Sequence, residues 1–78
     1  MDYLDRLIAE RIDRDLTQRE VAAVINKSQQ GYDHIEKRRA KLSIEDFIKL
    51  CEFYNIQPAY FLCFSNKKDS LLSIEEKR

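Results

Sequence analysis

Five polar side chains recur at helical spacing near the middle of the chain: Gln29, Gln30, Asp33, His34 and Lys37. At about 100° per residue they share one side of a helix, while Gly31, Tyr32 and Ile35 fall on the other. A glutamine amide donates and accepts hydrogen bonds at once. That combination suits the edge of adenine in the major groove of a duplex. Any solvated helix shows polar residues outward, so the neighbouring stretches decide what this face means. Chemistry of other kinds has little to work with. The lone histidine, His34, has no nucleophile at a recognisable spacing, and there is no glycine-rich loop. Cys51 and Cys63 form no CxxC pair, so a metal site is not indicated. The chain reads as a non-enzyme without a cofactor.

The elements around this face are legible. Thr17 and Glu20 have the spacing of a capping box, which opens a helix over about 17–25. Val21, Ala22, Val24 and Ile25 give it an apolar face, and Ala22 is small enough for a second helix to come close. Asn26 stands where the chain must turn, and asparagine tolerates the left-handed conformation. Ser28 then caps the helix over about 28–36. Two short helices joined by a tight turn are a helix-turn-helix unit. Before it, residues 3–13 suit a first helix with a stripe of Leu4, Leu7 and Ile8, Ile12 at its edge, and Arg11 inside it. After it, Ser43 caps a helix to about 54, with Ile44, Phe47, Ile48, Leu50, Cys51 and Tyr54 on one face and Phe53 opposite. Phe53 is either covered by the tail or exposed. Ile56 should plug the core, Gln57 cap a last helix with Pro58 in its first turn, and Phe61 and Leu62 close the core. The expected core is Leu7, Val21, Ile25, Tyr32, Ile35, Phe47, Leu50, Ile56 and Leu62.

The pattern Leu16, Thr17, Gln18, Glu20, Val21, Ala22, Ile25, Ser28, Gln29, Ile35 and Glu36 resembles the helix-turn-helix of the phage repressor/Cro (XRE) family of transcriptional regulators. Ser43 to Leu62 resembles that family's fourth and fifth helices, so the likeness covers about residues 4–62. It implies an all-α, five-helix, lambda-repressor-like domain over residues 1–64, followed by a polar tail over 65–78. It also implies sequence-specific binding of double-stranded DNA by a Cro- or repressor-type regulator, as a homodimer on a pseudo-palindromic operator. Gln29, Gln30, Asp33 and His34 would then face bases. Gln18 would hold a phosphate and brace Gln29, as similar residues do in the family, and Arg19, Lys27, Lys37, Arg38, Arg39 and Lys41 would join it on phosphates. Arg11 and Glu36 occupy positions that pair in similar domains; otherwise Arg11 snorkels at the rim. Three residues depart from the family pattern: Asn26 replaces the usual turn glycine, Lys27 a small apolar residue, and Arg38 a glycine after the recognition helix. Gly31 within that helix serves either close packing against another helix or close approach to DNA.

Charge distribution agrees with this assignment better than net charge does. The 78 residues carry 14 basic and 14 acidic groups. Residues 1–26 sum to −2, residues 27–41 to +3 and residues 42–78 to −1, so the positive segment coincides with the proposed reading helix and the loop after it. No apolar run approaches the ~20 residues of a membrane span, and the N-terminus lacks the basic and apolar regions of a signal peptide. A cytoplasmic protein with free thiols is expected, Cys51 buried and Cys63 partly exposed. Neutral net charge, Asp33 on the reading face and Phe53 also fit a protein-interaction module on the same fold, an antitoxin or anti-repressor. The tail, with Leu71, Leu72 and Ile74, is a frayed end, a sixth helix over Phe53, or a dimer contact.

Overall fold

A computed structural model describes residues 1–70. Among them are five helices and no strand: α1 (Tyr3–Asp13), α2 (Gln18–Val24), α3 (Gln29–Glu36), α4 (Ile44–Tyr54) and α5 (Pro58–Phe61). The starts follow side-chain chemistry. Asp2 and Asp5 form a reciprocal capping box on α1, with both N–H to carboxylate distances 3.0 Å. Thr17 and Glu20 do the same on α2, at 3.1 Å each way. The Ser28 hydroxyl accepts from the Gly31 N–H and the Ser43 hydroxyl from the Asp46 N–H. Gln57 stands at the start of α5 but does not cap it with its side chain. Its amide reaches back to the Lys67 carbonyl at 3.0 Å instead, because the following chain passes beside it.

The ends share one geometry without using glycine. Asp15, Asn26, Arg38, Asn55 and Cys63 follow the five helices in turn, each with φ between 54° and 67°. Beyond each of them, the next N–H turns back to a carbonyl of the last turn: Leu16 to Arg11, Lys27 to Ala22, Arg39 to His34, Ile56 to Cys51 and Phe64 to Ala59. This 6→1 bond is the Schellman closure. It sets the angle between successive helices, and at Asn26 and Arg38 it replaces the glycines that the family pattern uses.

The core holds Leu4, Leu7, Val21, Ala22, Ile25, Tyr32, Ile35, Phe47, Leu50, Cys51, Tyr54, Ile56 and Phe61. Of the expected core, Leu62 is the exception, at 44% exposure. Neighbours on a helix point about 100° apart, and Phe61, fully buried, already fills the site that this one-turn helix closes. Ile44 and Ile48 also leave the expected buried face of α4, at 64% and 47% exposure. They stand at the first turn and flank of a helix whose inward stripe is Phe47, Leu50, Cys51 and Tyr54. Phe53 is exposed, edge-on to the Tyr54 ring. Burial pushes the Cys51 thiol up to about 11, while Cys63 is exposed.

Residues 63–69 run back along α1. Arg6 donates to the Tyr60 and Ser65 carbonyls at 2.7 and 2.9 Å and lies over the Tyr60 ring. Lys68 reaches Glu10 at 3.0 Å, and the Gln57 N–H donates to the Asp69 carbonyl. Glu10 is buried; although burial raises its pKa, Arg14 and Lys68 outweigh that and hold it below the ordinary range. Leu71, Leu72 and Ile74 lie outside the described residues.

The helix ends generate a stability test. A left-handed residue with a side chain costs about 1–2 kcal/mol relative to the right-handed form, which glycine avoids. Asp15 makes no side-chain bond among the described residues. Asp15→Gly should therefore raise unfolding free energy by about 0.5–1 kcal/mol, and Asp15→Val should lower it. Urea unfolding followed by circular dichroism measures both; a glycine variant no more stable than wild type would refute the account.

Candidate nucleic-acid interface

The face expected to read bases lies on α3, which packs on α2 through Val21, Ala22, Ile25, Tyr32 and Ile35. Its orientation is set by one carboxylate. Glu36 accepts from Arg11 Nε at 2.7 Å and Arg11 Nη2 at 3.1 Å. Arg11 Nη1 donates to the Leu16 carbonyl at 2.9 Å. The same Glu36 accepts from Gln18 Nε2 at 3.0 Å. One polar cluster thus joins α1, the turn before α2, the start of α2 and the end of α3. It is shielded: the side chains of Arg11 and Glu36 are 15% and 8% exposed. Burial pushes the Glu36 pKa up, but hydrogen bonds from Arg11, Tyr32 and Gln18 more than offset it, and the group stays ionised below the ordinary carboxylate range.

The sequence-derived base readers separate into two kinds. Gln29 and Gln30 are exposed in the first turn of α3, and neither side chain has a hydrogen-bond partner among the described residues. Asp33 is half-buried and already engaged, accepting from Gln18 Nε2 at 2.9 Å and pairing with Lys37 Nζ at 2.9 Å. Those contacts lower its pKa. His34 is half-buried and lines a shallow cleft of about 250 Å³ together with Lys27, Ser28, Gly31 and Lys41.

The expected phosphate ligands also divide. Arg19, Arg39 and Lys41 are exposed and without a carboxylate partner among the described residues. Lys27 stands 3.7 Å from Asp46, a loose pairing. Gln18 and Arg38 are instead already engaged within the protein. The Gln18 amide donates to Asp33 and Glu36, so neither N–H is left for a phosphate, which only accepts. It ties the start of α2 to α3, and among the described residues its partners are Asp33 and Glu36 rather than Gln29. Arg38 folds onto the N-terminus of α1, where Asp2 and Asp5 take its guanidinium. The Asp2–Asp5 spacing was the available signal, but it specifies a cap, and nothing local connects it with residue 38. Of the two roles for Gly31, close packing against another helix is corrected: a Cβ there would meet Ser28 Oγ at 3.2 Å and Lys27 Cβ at 3.9 Å, atoms of its own helix cap and the turn before it.

Capped helix pair, buried ion pair and exposed first-turn amides converge on one comparison. The profile of the helix-turn-helix family matches residues 7–61. The chain belongs to the Cro/C1-type helix-turn-helix family. Its members are DNA-binding transcription regulators, and the family is not typically enzymatic. No curated protein and no solved structure matches the chain significantly. The match spans the helix-turn-helix from before Arg11 to Phe61, the last core residue. No helix among the described residues is long and apolar enough to cross a membrane.

The ion pair at the heart of this helix-turn-helix can be measured. Arg11→Met leaves a shielded carboxylate without its main partner and should cost about 3 kcal/mol, more than the loss of an exposed pair. A double-mutant cycle with Glu36→Gln should give a coupling of about 1 kcal/mol or more. Because the folded pKa of Glu36 is depressed, its contribution is present above its unfolded value. It is lost as pH falls through the folded one. Glu36→Gln should accordingly flatten the acid limb of the stability–pH curve. Zero coupling, or an unchanged acid limb, would remove the bracing role.

Proposed function

We propose that this domain is a sequence-specific, Cro- or repressor-type regulator that inserts α3 into the major groove of double-stranded DNA. One observation carries the proposal. On a face where Asp33 and Lys37 satisfy each other, the side-chain amides of Gln29 and Gln30 are exposed in the first turn of α3 and unpartnered among the described residues. Repressor-like docking brings that turn to the base edges. Each amide can give adenine a bidentate contact. Arg19, Arg39, Lys41 and the loosely held Lys27 supply the phosphate contacts that fix register. Asp33 and His34 act beside the glutamines: Asp33 can still accept from a cytosine amino group, and His34 borders the cleft between α3 and the loop after it. A homodimer on a pseudo-palindromic site belongs to the same proposal. Ile44 and Leu62 border an apolar groove of about 180 Å³ just beyond the basic loop, with Ile48 and Phe64 also exposed; a second copy would cover them.

A preferred duplex selected from random DNA provides the assay. Gln29→Ala or Gln30→Ala should weaken binding to it by about 1–3 kcal/mol while leaving a scrambled duplex almost unaffected. Arg39→Ala should weaken both duplexes together and flatten the salt dependence. Folded glutamine variants that bind both duplexes like wild type would defeat the proposal in favour of a protein-partner module. Ile44→Glu should lower the dimer fraction in sedimentation and leave the monomer folded; an unchanged mass would exclude that face.

A further inference from the structure

Five cations lie between residues 27 and 41, yet the structure leaves few of them available. Lys37 is held by Asp33, Lys27 stands near Asp46, and Arg38 is gripped by two carboxylates. The grip on Arg38 is specific. Its Nη1 lies 3.0 Å from Asp2 Oδ2, and its Nη2 lies 3.2 Å from Asp2 Oδ1 and 3.0 Å from Asp5 Oδ1. A forked guanidinium contact is geometrically stronger than a single-point pair. Both carboxylates are also fixed in advance by the α1 capping box, so little side-chain entropy is lost when Arg38 joins them.

We propose that Asp2 and Asp5 are specificity determinants: they hold Arg38 away from DNA phosphates and so suppress sequence-independent binding. This rests on the DNA-binding assignment above. Arg38 sits two residues beyond α3 and beside Arg39, on the segment proposed to meet the backbone. All three side chains are about half exposed, so a phosphate can compete for the guanidinium directly. Phosphate contacts add affinity without sequence information. Restraining one lowers non-specific binding while the glutamine contacts remain. The Asp5 N–H and then Arg38 bring the Asp2 carboxyl down to about 2, so Asp2 stays charged and available to the guanidinium.

The test uses the double variant Asp2→Asn, Asp5→Asn. Asparagine caps helices as well as aspartate does, and thermal melting checks the fold. Binding to a random-sequence duplex is followed over a salt series. The expected result is a several-fold gain in affinity and a log–log salt slope steeper by about 0.9, the release expected for one added phosphate contact. The gain should vanish when Arg38→Gln is added, and should exceed that of the charge-matched Asp13→Asn, Glu52→Gln control. An unchanged slope, a gain equal to the control, or a gain surviving Arg38→Gln would overturn the latch. A second variant guards against misfolding of the first. Arg38→Gln alone should leave the wild-type slope nearly unchanged, and a loss of about 0.9 would show Arg38 already on a phosphate. Wild type that binds no duplex would instead overturn the DNA-binding assignment, and the latch with it.

Discussion

A guanidinium 2.7 Å from a carboxylate, both screened from water, ties the first helix of this domain to the last turn of its third. Much of the presentation of α3 follows from that contact. Ion pairs of this kind do not stabilise a fold cheaply, because both charges must leave water. What they impose is geometry. Glu36 must lie where Arg11 Nε and Nη2 and the Gln18 amide converge, and Arg11 must also satisfy the Leu16 carbonyl. Those requirements fix the rotation of α3 about its axis, and with it the side on which Gln29 and Gln30 emerge. Apolar packing of Tyr32 and Ile35 alone would tolerate a slip more readily, since dispersion is not directional.

The same cluster sorts the polar residues on the outer face of α3. Gln18 holds Asp33 and Glu36 together, and Lys37 completes the neutralisation of Asp33. A face that looks uniformly polar along the sequence thus contains braced groups at its centre and free amides at its leading edge. A comparable division runs through the cations. Arg38 faces its own N-terminus, whereas Arg19, Arg39 and Lys41 face solvent without a carboxylate partner among the described residues. A protein with no net charge can meet a polyanion when its cations are unevenly committed, because attraction at contact distance depends on local rather than total charge.

Much of the architecture was legible in the sequence, for a physical reason: its determinants are local. A hydroxyl or carboxylate three residues from its N–H partner caps a helix wherever it occurs, and Thr17, Ser28 and Ser43 do so. Helical periodicity separated Leu7, Val21, Ile25, Tyr32, Ile35, Phe47 and Leu50 from solvent positions, and Asn26 adopts the left-handed turn that its side chain tolerates. The helix-turn-helix resemblance depends on the same short-range pattern, and the family match across residues 7–61 agrees with it.

Tertiary structure decided the rest. Which of Phe61 and Leu62 closes the core depends on the phase of a one-turn helix against α1 and α4, and no repeat along the chain records that phase. Ile44 and Ile48 carry the apolar character of buried residues, yet among the described residues no element covers them fully, so hydrophobicity alone mislocated them. The commitments of Gln18 and Arg38 are still further from sequence. Asp2 and Arg38 are separated by 36 positions, and the backbone path of three helices brings them within 3.0 Å. Periodicity shows that a side chain is polar and outward. Whether its hydrogen bonds are already made depends on distances between elements, and those are set only when the core has packed.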